Sequence, residues 1–223
     1  MIGSPPTHDL SPYFRVLDDL DGPIDWPTLF GNDRPVVLDI GCGRGMFLVK
    51  HAEEHPGLNI LGIEIDYREG RHGARRLQRR NLENARVIGG DANIAIERYI
   101  PAESVQEAYV LFPDPWWKRR HRRRRLFTDV FVNRIRTMLR PEGVLNAWTD
   151  VEEYFEVMAA LMNHHEGFIP LDPPEEKPAA HNLDYHTSFE RRRRQAGAKI
   201  HRGRWRKRGV RGEGRGVRGE RGA

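Results

Sequence analysis

Pro35-Val36-Val37-Leu38-Asp39-Ile40-Gly41-Cys42-Gly43-Arg44-Gly45 is a short apolar run that breaks into a glycine-rich turn. A run of this length and content reads as a buried strand. Gly45 to Glu54, with Phe47, Leu48 and Ala52 at helical spacing and Pro56-Gly57 as the stop, reads as the helix after it. The alternation then repeats. Asn59 to Ile65 is a second strand, Asp66 caps a strongly basic helix through about Asn81, Arg86 to Gly89 is a third strand closed by Gly90-Asp91, and Asn93 to Tyr99 is a short helix. Val105 to Phe112, Arg123 to Leu139, Val144 to Thr149 and Val151 to His164 continue as strand, helix, strand and helix. This order predicts an α/β fold, a doubly wound and mostly parallel sheet with helices on both faces. Ligands of such sheets bind beyond the carboxyl ends of the strands, which puts Asp39, Glu64, Asp91, Asp114 and Asp150 along one rim.

Outside this core the chain changes character. Residues 1 to 33 hold five prolines and little periodicity and read as an N-terminal arm, with Tyr13, Phe14 and Trp26 as anchors. From Arg202 to Ala223 there are nine Lys/Arg against two Glu, which leaves 28 against 30 for residues 1–201. The stretch from 196 to 223 therefore reads as a basic, Arg/Gly-rich disordered tail, either adding non-specific RNA affinity or dispensable. One cysteine, Cys42, excludes an internal disulfide and argues against a cysteine-rich metal site. The ten histidines lack metal spacing; His121, within an arginine run, reads as a phosphate donor and the others as surface. No apolar run reaches membrane-span length and no signal-peptide pattern opens the chain, so the expectation is a cytoplasmic protein with no membrane, no metal and no obligate protein partner, monomer or homodimer.

The glycine turn admits two cofactor classes. Dinucleotide enzymes use Gly-x-Gly-x-x-Gly with a pyrophosphate on the helix N-terminus. Here the spacing is Gly41-x-Gly43-x-Gly45, with Asp39 two positions ahead. A carboxylate aimed into the turn repels a pyrophosphate and suits the cationic end of S-adenosyl-L-methionine. Glu64 can accept both ribose hydroxyls. Asp91 can accept from the adenine amino group or cap the next helix, and both roles can hold together.

Phe112-Pro113-Asp114-Pro115-Trp116-Trp117-Lys118 runs into a basic segment through Arg125. The prolines push Phe112 and Asp114 toward extended backbone, so Asp114 is expected to project from a stiff loop at a strand end. Trp116 and Trp117 stack on a base, wall the pocket or pack in the core, and the arginines suit phosphates. The basic helix Arg68 to Arg80 reads as a solvated face, with auxiliary RNA contact as the second reading.

With Trp148-Thr149-Asp150-Val151-Glu152-Glu153-Tyr154 and Thr187-Ser188-Phe189-Glu190-Arg191 added, the chain resembles the bacterial tRNA (guanine-N7)-methyltransferases over about residues 34 to 195. The resemblance implies a Rossmann-like class I methyltransferase domain, and transfer of a methyl group from S-adenosyl-L-methionine to N7 of guanine 46 in the tRNA variable loop. It assigns cofactor contacts to Asp39, Glu64, Asp91 and Asp114, with Gly41, Gly43 and Ala92 of the same turns, and makes Asp114 the catalytic residue as well. Lys118, Asp150, Thr187, Ser188, Phe189 and Glu190 become substrate contacts, and Arg120, His121, Arg122, Arg123, Arg124 and Arg125 an RNA-binding segment. Many bacterial members carry Glu at the position of Asp39, and the tail lies outside the family pattern. Asp114, Asp150 and Glu190 all remain candidates for the guanine edge. A non-catalytic RNA-binding protein on the same fold, and a dinucleotide-dependent oxidoreductase, are the competing expectations.

Overall fold

The computed structural model describes residues 9–116, 125–175 and 185–209. Its centre is a sheet of eight strands: β1 (Phe14–Val16), β2 (Val36–Ile40), β3 (Asn59–Glu64), β4 (Ala85–Gly89), β5 (Val105–Leu111), β6 (Leu139–Thr149), β7 (Phe168–Leu171) and β8 (His201–Lys207). The order across the sheet is β1-β4-β3-β2-β5-β6-β8-β7, parallel except for β8, which is antiparallel to both neighbours. Seven helices complete the fold among the described residues: α1 (Trp26–Phe30), α2 (Met46–Glu54), α3 (Tyr67–Arg79), α4 (Ala92–Arg98), α5 (Asp129–Met138), α6 (Glu152–His164) and α7 (Ser188–Gln195).

Strand alternation divides the core. Leu38, Ile40 and Leu61 face α4, α5 and α6, whereas Val37 and Ile60 face α2 and α3, so each central strand is apolar on both sides. This is the doubly wound, mostly parallel sheet with helices on both faces that the alternation predicts. Strand order reverses between β2 and β5, both of which end at the same edge. The glycine turn after β2 and the Pro-Asp-Pro loop after β5 thus meet at the crevice where such sheets bind ligands.

Capping explains where the helices start. Asp66 accepts from the amides of Arg68 and Glu69 to open α3, and Thr128 Oγ1 accepts from Phe131 N–H to open α5. That cap sets the start of α5 at Asp129, later than the Arg123 expected from its apolar face, because a capping threonine outweighs periodicity that runs on into a basic stretch.

Two expectations about the ends change. Phe14–Val16 of the expected arm is an edge strand parallel to β4, with Leu17 packed on Gly90. The expected disordered tail does not begin at 196. His201–Lys207 is β8, inserted between β6 and β7, with Trp205 3% exposed and its Nε1 donating to Asn163 at 2.7 Å. The strand hides from a composition reading because four of its seven residues are cationic: Gly203, Trp205 and Lys207 are buried, Arg204 and Arg206 are partly exposed, and the Arg202 side chain is turned onto buried Glu190. Buried Lys207 is satisfied by the Leu139 carbonyl at 2.7 Å and Glu103 at 2.9 Å. Residues 210–223 lie outside the described residues. Among those described, no helix is long and apolar enough to cross a membrane, and no cluster of three His, Cys, Asp or Glu could hold a metal ion.

Truncation after Ala198 should abolish cooperative unfolding, because it exposes two strand edges and the site of a buried tryptophan; a sharp thermal transition in the truncated chain would refute this. A finer test uses the pair between Arg202 and Glu190, 3.1 Å apart and 8% and 1% exposed. Arg202→Met should lower stability by about 3 kcal/mol, the cost of removing the nearer cation from a buried carboxylate that is left with Arg194 at 3.5 Å. Urea unfolding of Arg202→Met beside Glu190→Met/Arg202→Met should show the double variant recovering most of that loss.

Candidate functional site

The turn after β2 exists because three glycines adopt left-handed backbone, with φ of 82° at Gly41, 52° at Gly43 and 68° at Gly45. A Cβ at Gly41 or Gly43 would meet nothing within 4 Å, so the turn borders open space. Gly45 is different. A Cβ there would come within 2.9 Å of the Gly73 backbone, because the start of α2 is pressed directly onto α3.

Glu64, at the end of β3, turns back over this turn. Its Oε2 accepts the Gly43 N–H at 2.7 Å and its Oε1 the Asp66 N–H at 2.9 Å, which holds the carboxylate in place. Asp39 lies beneath the turn rather than on the rim: it is 2% exposed and its Oδ2 has no hydrogen-bond partner among the described residues. Burial, and secondarily the charge of Glu64, push its pKa up to about 8. A buried, unpartnered carboxyl oxygen next to an open glycine turn is a site that favours a cation.

A cleft of about 310 Å³ runs from this turn across the strand ends. Gly41, Glu64, Asp91, Ala92 and Asp114 all line it, so four of the positions expected to touch the cofactor stand around one space with Asp114. Asp91 also caps α4, its Oδ1 accepting from Asn93 N–H at 2.7 Å, so the capping role coexists with a place on the cleft wall. Sequence reasoning missed Ile65, Phe112 and Leu126 as walls of the same cleft, whereas Trp116, expected to stack a base, wall the pocket or pack in the core, stands in that wall. Ile65 carried a signal: an isoleucine wedged between a strand-end glutamate and a helix-capping aspartate has no core to enter, and it is 69% exposed.

The Pro-Asp-Pro loop departs from its expected backbone. Phe112, expected to be extended, has φ 57°, and Trp116 has φ 42°, so bulky residues in a sparsely populated region flank the loop at both ends. Asp114 between them is exposed. The Phe112 N–H donates to the Trp148 carbonyl at 2.8 Å, and Arg125 Nε donates to the Pro115 carbonyl at 2.9 Å, so Arg125 braces the loop rather than standing apart from it. Trp117, Lys118, Arg120, His121, Arg122, Arg123 and Arg124 lie outside the described residues.

The segment Thr187 to Glu190 does not line this cleft but packs against two elements that border it, the start of α2 and the Pro-Asp-Pro loop. Thr187 Oγ1 accepts from Glu190 N–H at 2.9 Å as the cap of α7, Ser188 Oγ reaches Met46 Sδ at 3.2 Å beside the glycine turn, and the Phe189 ring lies 5.1 Å from that of Phe112. Glu190 itself is buried, accepting from the His186 N–H at 2.7 Å and pairing with Arg202, and it does not join the cleft. Asp150 pairs with Arg193 at 2.5 Å and is only 10% exposed at its side chain. Of the three carboxylates expected to compete for the guanine edge, Asp114 alone lines the cleft.

Two histidines are not surface residues. His51 is 7% exposed and, with His186, lines a separate cavity of about 190 Å³ beneath α2, walled by Phe47, Tyr109 and Trp148. Burial pulls both imidazoles down to about 4, so they are neutral at physiological pH.

Comparison with known proteins agrees with this geometry. Residues 33–203 match the family described as "Putative methyltransferase". The tRNA (guanine-N(7)-)-methyltransferase of Rhodopirellula baltica is 38% identical over 210 residues, covering 91% of this chain and 77% of that protein. That of Geobacter metallireducens is 37% identical over 179 residues, covering 80% and 84%. Among solved structures, the 16S rRNA methyltransferase KamB superposes with a TM-score of 0.59 at 18% identity, covering 81% of this chain and 93% of that one, a likeness of fold. Matched from the glycine turn to the last strand, and more than a third identical to relatives along most of their length, the chain belongs to the tRNA (guanine-N(7)-)-methyltransferase family.

Proposed function

We propose that this enzyme transfers the methyl group of S-adenosyl-L-methionine to N7 of a guanine in tRNA, guanine 46 of the variable loop being the position implied by the family, and that it works in the cytoplasm. The observation that carries the reading is the single cleft on which the glycine turn, Glu64, Asp91 and Asp114 converge.

The residues fit the donor. Asp39 offers a buried oxygen without a partner beneath the turn, Gly41 and Gly43 border open space, and Glu64 is held with lone pairs to spare. Asp39 and Glu64 would thus hold the cationic and ribose portions, and Asp91, Ala92 and the exposed face of Ile65 the base. When bound, the donor supplies an electrophilic methyl on positively charged sulfur.

Guanine N7 carries its own lone pair and needs no deprotonation, so the protein's task is aim. Asp114 sits on a loop whose flanking residues are held in unusual backbone and whose ends are tied to Trp148 and Arg125. Its carboxylate can accept from guanine N1–H and N2–H, turning N7 inward, and can offset the positive charge that grows on the purine. Asp150 and Glu190, each committed to an arginine, instead brace α7 so that Ser188 and Phe189 close the donor side. Lys118 and the basic segment 120–125 are proposed to take the RNA backbone.

Incubation of the purified enzyme with labelled donor and bulk tRNA should yield N7-methylguanosine; methylation of a different nucleoside would overturn the reading. Asp114→Ala should reduce turnover by about 100-fold or more, the scale for removing one preorganised electrostatic interaction, with an unchanged far-ultraviolet spectrum. Wild-type turnover in that variant would remove Asp114 from the mechanism.

The raised pKa of Asp39 has its own signature. Folded protein keeps a proton that the unfolded chain loses near 3.8, so stability falls as pH climbs from about 4 and levels off above about 8. The slope contributed by one such proton is about 1.4 kcal/mol per pH unit. Urea unfolding from pH 5 to 9 should show a flatter decline for Asp39→Asn than for the wild type, and parallel profiles would contradict a protonated buried carboxyl.

A further inference from the structure

The helix α3 is an unusual object for a solvated surface. Its thirteen residues hold five arginines and one glutamate, with Arg80 as the C-cap residue. Solvated helix faces gain support by alternating opposite charges at four-residue spacing, whereas Arg71 and Arg75, Arg75 and Arg79, and Arg76 and Arg80 place like charges there. Glu69, the one acidic residue, is committed to Arg44 of the glycine turn at 2.6 Å. Arg76 is half-buried, and its guanidinium is pushed below its ordinary range by burial and then by Arg44, Arg80 and Arg79. The helix therefore holds mutually repelling cations that its own chain leaves largely uncompensated.

Beside it lies a groove of about 490 Å³ between α3 and α2, whose walls include Met46, Lys50, Arg76, Arg79, Arg80 and Tyr185. Glu53 and Glu54 also line it, Glu53 paired with Arg80 at 3.1 Å and Glu54 with Lys50 at 3.9 Å. The groove has a tyrosine ring at one end, capped by Arg194 at 5.1 Å from its centroid. Met46 is the first residue of α2 after the glycine turn and touches Ser188, so the groove opens beside the donor site.

We propose that the arginine face of α3, together with this groove, is a second docking surface for the sugar-phosphate backbone of the RNA substrate, apart from the basic segment that follows the Pro-Asp-Pro loop. The proposal rests on the RNA methylation proposed for the donor cleft and extends it. The chemistry fits: arginine presents a planar fork that takes two phosphate oxygens at once, and a polyanion relieves the repulsion along the helix. Among the described residues, a merely solvated face would leave that repulsion relieved only at Arg80, by Glu53. The backbone contact of Gly45 with Gly73 and the Arg44–Glu69 pair tie this helix to the donor turn, so RNA held on α3 is registered against the place where the methyl is offered.

The test is Arg75→Gln/Arg76→Gln/Arg79→Gln, compared with wild-type protein in tRNA binding across a salt series, in steady-state methylation, in donor binding and in thermal unfolding. Binding of tRNA should weaken at least 10-fold. The slope of log affinity against log salt should become shallower by about 2, on the scale of roughly 0.9 for each duplex phosphate that is no longer neutralised. The KM for tRNA should rise while kcat at saturating tRNA and donor affinity stay within about twofold, and the thermal midpoint should hold or rise because repulsion is removed. Arg75→Lys/Arg79→Lys should retain most of the affinity. Unchanged tRNA affinity and salt slope would make α3 a solvated face and overturn the proposal; so would a fall in donor affinity or thermal midpoint that matches the loss of tRNA binding, which marks a structural role. The binding series needs no turnover, so a wild-type enzyme that binds tRNA through α3 but makes no N7-methylguanosine would count against the proposed reaction alone.

Discussion

The buried carboxyl of Asp39 beneath a turn made of glycine is the constraint on which the remaining architecture hangs. Two acidic side chains, Asp39 and Glu64, converge where β2 and β3 end, and water cannot reach the inner one. Such a placement costs stability in the free protein unless a proton or a cationic ligand neutralises it. Every close neighbour accommodates that arrangement: left-handed glycines keep the backbone clear of side chains, the Gly43 amide fixes Glu64, and the N-terminus of α2 is driven onto α3 where glycine meets glycine.

Around this point the carboxylates divide by partner. Asp150 and Glu190 are bound to arginines of α7 and β8, and their burial makes them struts. They hold α7 where Phe189 meets Phe112 of the cleft wall and Ser188 meets Met46 at the start of α2. Asp114 has the opposite surroundings, exposed on a short loop between two residues of positive φ. Acidic residues thus differ in surroundings because Asp150 and Glu190 have cations within reach and Asp114 faces the cleft.

The basic residues follow the same logic in reverse. Those of β8 are consumed by the fold: Arg202 by Glu190 and Lys207 by a backbone carbonyl and Glu103. Those of α3 are crowded against one another, and the helix survives because Gly70, Gly73, Ala74 and Leu77 pack its inner face. Formal charge alone does not separate these two sets; burial and partner do.

The alternation of strands and helices, the glycine turn and the acidic strand ends were legible in the amino-acid order, because these rest on local periods and on residues with few backbone options. Asp114 and the Thr187 to Glu190 segment were singled out too, each through a motif that the family resemblance recognises; of these, Asp114 lines the cleft. Hidden from that reading were β8, whose arginines look like a solvated tail until the sheet supplies β6 and β7 on either side, and the edge strand at Phe14. Nor could residue order tell that Asp114 lines the cleft while Asp150 and Glu190 do not, or that His51 is buried and His186 half-buried, since the elements that cover them are distant in the chain. Those decisions belong to the folded chain: pairing between separate elements, 12 residues apart for Glu190 and Arg202 and 43 for Asp150 and Arg193, and exclusion of water set whether a charged side chain is a strut or faces open space, and neither is written in local spacing.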